Sequence, residues 1–112
     1  MAHHGFDKDG RPVYWEKTGT IQSNFSEVFK YFTTDELVQY HIQSQECFEF
    51  RYQYASERFN TEVTQSDVIF DMKNVQMVLN IQSIAYIKQI LSVDQQYYPE
   101  RLHKLFIINC PW

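Results

Sequence analysis

Two apolar runs, QSDVIFDM at 65–72 and KLFIIN at 104–109, flank a stretch with helical spacing, and this order leaves few folds open. A short continuous apolar run is what a strand buried in a sheet requires. Between the runs, NIQSIAYIKQILSVDQQ sets Ile81, Ile84, Ile87, Ile90 and Leu91 at helical intervals, with Asn80 placed to cap them. The two strands stand too far apart in sequence for a hairpin. They are expected to run parallel, joined by a right-handed helical crossover. The spacing predicts an α/β fold containing strand 65–72, helix 81–96 and strand 104–109. Covering on both faces is expected for the last strand.

Upstream, the sequence divides as clearly. GFDKDGRP at 5–12 holds two of the three glycines and one of the three prolines, and reads as a turn. VYWEKT follows as strand 13–18, then GTIQSN as a loop and FSEVFKYF as a short helix. Thr33 and Glu36 fit a capping box, in which each side chain satisfies the other's free backbone N–H. Beyond it Leu37, Phe48, Tyr52, Ala55 and Phe59 fall near one stripe, with His41 and Ser44 on the same face. One long helix over 34–58 is expected, its face more polar than an ordinary core face.

Several function classes fall away on composition. The formal charge is −4 and no basic run occurs, which disfavours nucleic acid as a partner. No apolar stretch approaches the roughly 20 residues that span a bilayer. Met1-Ala2-His3-His4-Gly5 lacks the basic and apolar regions of a secretory signal. The two cysteines, Cys47 and Cys110, are expected as reduced thiols in a cytoplasmic protein. At 17% of the chain, the aromatic residues exceed what so short a sequence usually buries. The surplus suits either a ligand cavity or plain aromatic packing.

Chemistry is sparsely signalled. GFDKDGRPVYWE sets Asp7, Asp9, Gly10 and Glu16 at four places of a calcium loop, but Gly5 fills the first ligand place and no entering helix can precede it. Cys47, Cys110, His41 and His103 show no ligand spacing, so no metal site is expected. Neither a nucleophile elbow nor a phosphate-binding glycine loop is present, and nothing in the sequence argues for an enzyme. Tyr14, Ser66 and the pair Glu100-Arg101 lie on or beside three separate strands, where hydroxyls and a carboxylate can face one cavity. The plain alternative is that Ser66 bonds locally and Glu100 pairs with Arg101 or a surface lysine.

Three stretches tilt that balance. DKDGRPVYWEKTG, VIFDMKNV and YYPERLHKLFIINCPW resemble, in order and separation, successive signatures of the CRAL-TRIO lipid-binding domain. They most resemble the branch containing the phosphatidylinositol/phosphatidylcholine transfer proteins, and the similarity runs along essentially the whole chain. The resemblance implies a sheet that floors an apolar pocket and helices that wall it, with one phospholipid inside as ligand and no cofactor. Ser66 and Tyr14 match residues associated with phosphatidylcholine headgroup contact, and Glu100 matches a glutamate implicated in the phosphatidylinositol arrangement. His3, Val68 and Arg101 are further pocket candidates. Val68 stands where those proteins carry a second hydroxyl, His3 where they carry another headgroup tyrosine, and Asn74 replaces a glycine.

By the same resemblance, residues 1–112 form the N-terminal and central part of one domain, truncated before a gating helix. The implied function is binding and intermembrane exchange of phosphatidylinositol or phosphatidylcholine. The alternatives are a non-transporting lipid-sensing or scaffold module of a larger signalling protein, or a carrier of another small hydrophobic ligand. The implied setting is cytoplasmic, with transient contact at organelle membranes, Golgi or endosomal.

Overall fold

The computed structural model describes residues 2–76 and 81–110. The elements are β1 (Ala2–Phe6), β2 (Pro12–Lys17), α1 (Thr18–Tyr31), α2 (Thr34–Phe59), β3 (Ser66–Asp71), α3 (Ile81–Tyr97) and β4 (Leu102–Ile108). They build one four-stranded sheet in the order β1-β2-β3-β4. The pair β1–β2 is antiparallel, while β2–β3 and β3–β4 are parallel, as the crossover argument requires.

The segment expected as a turn over 5–12 is narrower. Gly5 and Phe6 belong to β1 and Pro12 opens β2, so a hairpin stands where only a turn was expected. Its reversal is built by Asp7, whose Oδ1 accepts from the backbone N–H of Asp9 at 2.8 Å and of Arg11 at 2.9 Å. Gly10 completes the turn at φ +88, and a Cβ there would lie 2.7 Å from the Phe59 ring. The β1–β2 register slips between His3 and Phe6, at the positive-φ Gly5, which marks a bulge.

GTIQSN is helical rather than a loop: α1 begins at Thr18. Gly19 reads as a breaker in isolation, but here it lets the helix touch the chain leaving β3. A Cβ at Gly19 would stand 2.0 Å from the Lys73 carbonyl oxygen. The Gln22 side chain reinforces the contact, donating to the Gln76 carbonyl and accepting from the Gln76 N–H, both at 2.7 Å. Ser23 and Asn24, loop formers in isolation, turn their side chains back to the Thr20 carbonyl.

The long helix is where the sequence places it. Thr33 Oγ1 accepts from Glu36 N at 3.2 Å while Glu36 Oε2 accepts from Thr33 N at 2.8 Å, which closes the capping box. Asn60, in the left-handed conformation, ends the helix. Phe48, Tyr52 and Ala55 are buried and form the core with Val63, against which Phe6 and Tyr14 pack. Phe59 departs from the expected stripe and is exposed, its ring set edge-on to Phe6 at 5.4 Å.

In α3 the covered stripe is rotated from the expected one. Ser83 is buried, with Tyr86, Ile87, Ile90, Val93 and Asp94 half-buried, whereas Ile84 and Leu91 are exposed and Ile81 is 88% exposed. Apolar residues occupy two sides of this helix, and polar pairing helps set which side turns inward. Asp94 lies 2.7 Å from His41 Nε2 of α2, and Tyr98 donates to Glu46 at 2.6 Å. That last bond pushes the Tyr98 hydroxyl up to about 12. Phe25 and Phe29 of α1 meet Tyr86 edge-on from the other side. The Asn80 cap lies outside the described residues.

β4 is also not covered as expected. Among the described residues it is an edge strand of the sheet, and Leu102, Leu105, Phe106 and Ile107 are all exposed. Where β3 and β4 end, Asn109 Nδ2 and Lys73 N both donate to Asp71 Oδ1. Cys47 and Cys110 are free and exposed. Among the described residues no helix is long and apolar enough to cross a membrane.

Candidate functional site

Strand pairing assembles one row of side chains across the sheet. His3 is opposite Tyr14, Tyr14 opposite Val68, and Val68 opposite Leu105. Because side chains alternate along a strand, Ser66 lies on the same face as Val68. The helix α2 crosses this face. Phe48 meets the Tyr14 ring at 5.4 Å and the His3 ring at 4.5 Å, while the Tyr52 hydroxyl donates to Ser66 Oγ at 3.2 Å. Four of the six candidates from the sequence, His3, Tyr14, Ser66 and Val68, therefore share one surface beneath one helix.

Within this surface, polar atoms are held away from water. Ser66 is 4% exposed. Burial pushes the Tyr14 hydroxyl well above the ordinary tyrosine range. Glu16, two residues on and facing the same way, has its carboxyl pushed up by burial, an effect His41 opposes. Burial holds the His3 ring below the usual histidine value, with a further push from the Arg51 charge, so neutral pH leaves it uncharged. His3 Nδ1 is buried and, among the described residues, has no hydrogen-bond partner. Such an atom costs free energy unless something polar reaches it.

The pair at the start of β4 divides. Arg101 is joined to Ser66 through the backbone, since Ser66 N donates to the Arg101 carbonyl at 2.9 Å. Its guanidinium lies 2.9 Å from Glu49 and 5.8 Å from the centre of the Tyr52 ring. These groups line an open cleft of about 450 Å³ between the second half of α2 and the loops before β3 and β4, with Glu46, Phe50 and Ser56 also on its wall. Glu100 projects into solvent at φ +58. Its backbone carbonyl accepts from Gln65 Nε2 at 3.1 Å, and among the described residues its carboxylate has no partner.

Three residues that belong to this surface were not singled out from the sequence. Tyr52 was read only as part of the α2 stripe, although a buried tyrosine hydroxyl normally seeks a partner. Glu16 follows Tyr14 by two residues, so strand alternation alone puts both on one face. Glu49 carries no local signal, because its partner Arg101 is 52 positions away.

Comparison with known proteins adds an independent line. The CRAL/TRIO domain family matches residues 1–112. The SEC14 cytosolic factor of Eremothecium gossypii is 33% identical over 111 residues, covering 98% of this chain and 35% of that protein. The phosphatidylinositol/phosphatidylcholine transfer protein SFH7 of Arabidopsis thaliana is 33% identical over 111 residues, covering 97% and 20%. The Sec14 cytosolic factor of Schizosaccharomyces pombe is 34% identical over 112 residues, covering 98% and 38%. The chain thus spans between 20% and 38% of the length of these three relatives.

Proposed function

The chain belongs to the CRAL/TRIO domain family, and on that premise we propose that residues 1–112 are the N-terminal and central part of one lipid-binding domain that holds a phospholipid and exchanges it between membranes. The observation that carries this reading is the row His3, Tyr14 and Val68, with Ser66 beside it, beneath the apolar side of α2. Hydroxyl and imidazole groups set into an otherwise greasy layer suit a molecule with a polar head and apolar tails. The unpartnered His3 Nδ1 points to the same chemistry.

Burying acyl chains contributes about 0.8 kcal/mol per CH₂ removed from water. A bilayer offers the tails nearly the same environment, so net transfer is close to neutral and the protein acts as an exchanger. Discrimination falls to the headgroup, which must recover its lost hydrogen bonds from side chains. In this reading Ser66 and Tyr14 contact the headgroup, with His3 and Val68 shaping the same niche. Arg101, joined to Ser66 through the backbone, would supply charge and donors to a phosphorylated headgroup, and Glu100, which projects into solvent here, would accept from inositol hydroxyls. No bond is made or broken in the lipid, so the reading assigns no enzymatic step. The relatives named as cytosolic factors support a cytosolic setting. Transient contact at organelle membranes, Golgi or endosomal, is part of the proposal, since exchange requires the protein to meet a bilayer.

The test is lipid co-purification. The full-length protein is extracted and its bound phospholipid counted per chain by mass spectrometry. Ser66→Leu fills the niche with apolar bulk and is expected to cut phosphatidylcholine and phosphatidylinositol loading severalfold. Loading equal to that of the unsubstituted protein would sink the headgroup role. The same spectra address a second reading, a carrier of a less polar ligand, which the apolar Val68 beside Tyr14 favours.

A further inference from the structure

We propose that Asp7, Asp67 and His103 form a binding site for a divalent first-row metal ion, on the face of the sheet opposite Ser66 and Tyr14. The three residues come from the β1–β2 turn, from β3 and from β4, and one ligand atom of each lies within 4.8 Å of the other two. His103 Nδ1 is 2.9 Å from Asp67 Oδ1. Side chains alternate along β3, so Asp67 faces away from its neighbour Ser66.

Two features make this a built arrangement rather than a chance meeting of surface charges. Asp67 is only 7% exposed, yet its carboxylate faces a second carboxylate across the turn. In addition, Ser66 pairs with Leu102 whereas Asp67 pairs with Lys104, which leaves His103 as an extra residue on β4. A bulge of this kind re-aims a side chain, and here the imidazole is brought to Asp67.

Burial and the nearby Asp7 push the Asp67 carboxyl up, and His103 opposes the shift. A cation held by all three groups would relieve the repulsion between the two facing carboxylates. The Asp7 carboxylate is already oriented, because its Oδ1 accepts from Asp9 N and Arg11 N, while Arg11 stands 3.7 Å from its Oδ2. One nitrogen and two oxygen donors suit Zn²⁺, at about 2.0–2.2 Å, with a fourth position left to water. Ca²⁺ would demand six to eight oxygens. Bound there, the ion would tie the β1–β2 turn to the first residues of β3 and β4, next to Ser66 and Arg101. Linear spacing gives no hint of the site, because its ligands are scattered along the whole chain.

The test is Zn²⁺ titration of the metal-free full-length protein by calorimetry at neutral pH, in a Cys47→Ser, Cys110→Ser background because both thiols are exposed. One Zn²⁺ per chain is expected, with affinity at least tenfold weaker in Asp67→Asn and in His103→Gln and unchanged in His4→Gln. Binding undiminished by the first two substitutions overturns the proposal. Should either variant fail to fold, the unsubstituted protein decides: Zn²⁺ must shift the ¹⁵N resonance of His103 Nδ1, and an unmoved His103 signal overturns the site.

Discussion

The Tyr52 hydroxyl donates a 3.2 Å hydrogen bond to Ser66 Oγ, which ties the middle of α2 to the first residue of β3. Both residues are buried. The bond holds the helix in place over the sheet and fixes the oxygen on which the proposed headgroup contact depends.

Tyr52→Phe removes the donor and is expected to lower stability by about 1 kcal/mol. Ser66→Ala should cost a similar amount, and the double variant less than the sum, with a coupling of about 0.5–1.5 kcal/mol. Urea denaturation of the four proteins measures it. Strict additivity would mean that the bond does not contribute to stability.

Gly19→Ala places a methyl group 2.0 Å from the Lys73 carbonyl oxygen. Backbone cannot yield as a flexible side chain does, so the expected cost is about 1–3 kcal/mol or more, seen as a lower Tm. Hydrogen exchange should show the damage first at Gln76, whose N–H is held by Gln22. A variant as stable as the original would show that α1 can slide away from the sheet without penalty.

Glu16 titrates in a direction that opposes stability at neutral pH. Burial raises its folded-state value above the ordinary 4.5, so the folded protein binds the proton more tightly than the unfolded chain. Its contribution is fully present below 4.5 and is lost as pH rises through the folded-state value. Glu16→Gln is therefore expected to gain stability at pH 7 and to flatten the decline that begins near pH 4.5. Denaturant midpoints across pH 4 to 7 test this; an unchanged slope would exclude Glu16 as its source.

Thr33→Ala opens the capping box and should cost about 1 kcal/mol. The Glu36 amide, which donates to Thr33 Oγ1, should lose hydrogen-exchange protection before residues in the centre of α2 do. Equal protection in both proteins would assign the helix start to tertiary packing instead.

How much of this was readable in advance depends on the range of the forces involved. The capping box joins residues three apart, and the start of α2 stands where Thr33 and Glu36 place it. β1 was not visible, since His3-His4-Gly5 has no strand preference of its own and is held by pairing across the Asp7 turn. The α1 start was masked by Gly19, whose reason lies 54 residues away at Lys73. Residues 81–97 carry apolar side chains on two sides, so periodicity could not choose between them; contacts with His41, Phe25 and Phe29 belong to the covered side. Tyr14, Val68 and Ser66 were each singled out, but their sharing of one face follows from strand register, which single segments do not encode.

The two margins of the sheet are unlike. Along β1 the bulge at Gly5 blunts the outer side, a common protection against stray pairing. Along β4 the side chains are oily above and below, and the outward amides and carbonyls offer a ready ladder. Polypeptide laid against that margin would inherit its register and close off its grease in one step. Among the described residues the sheet is therefore guarded on its hairpin side and greasy on the side of Leu105, Phe106 and Ile107.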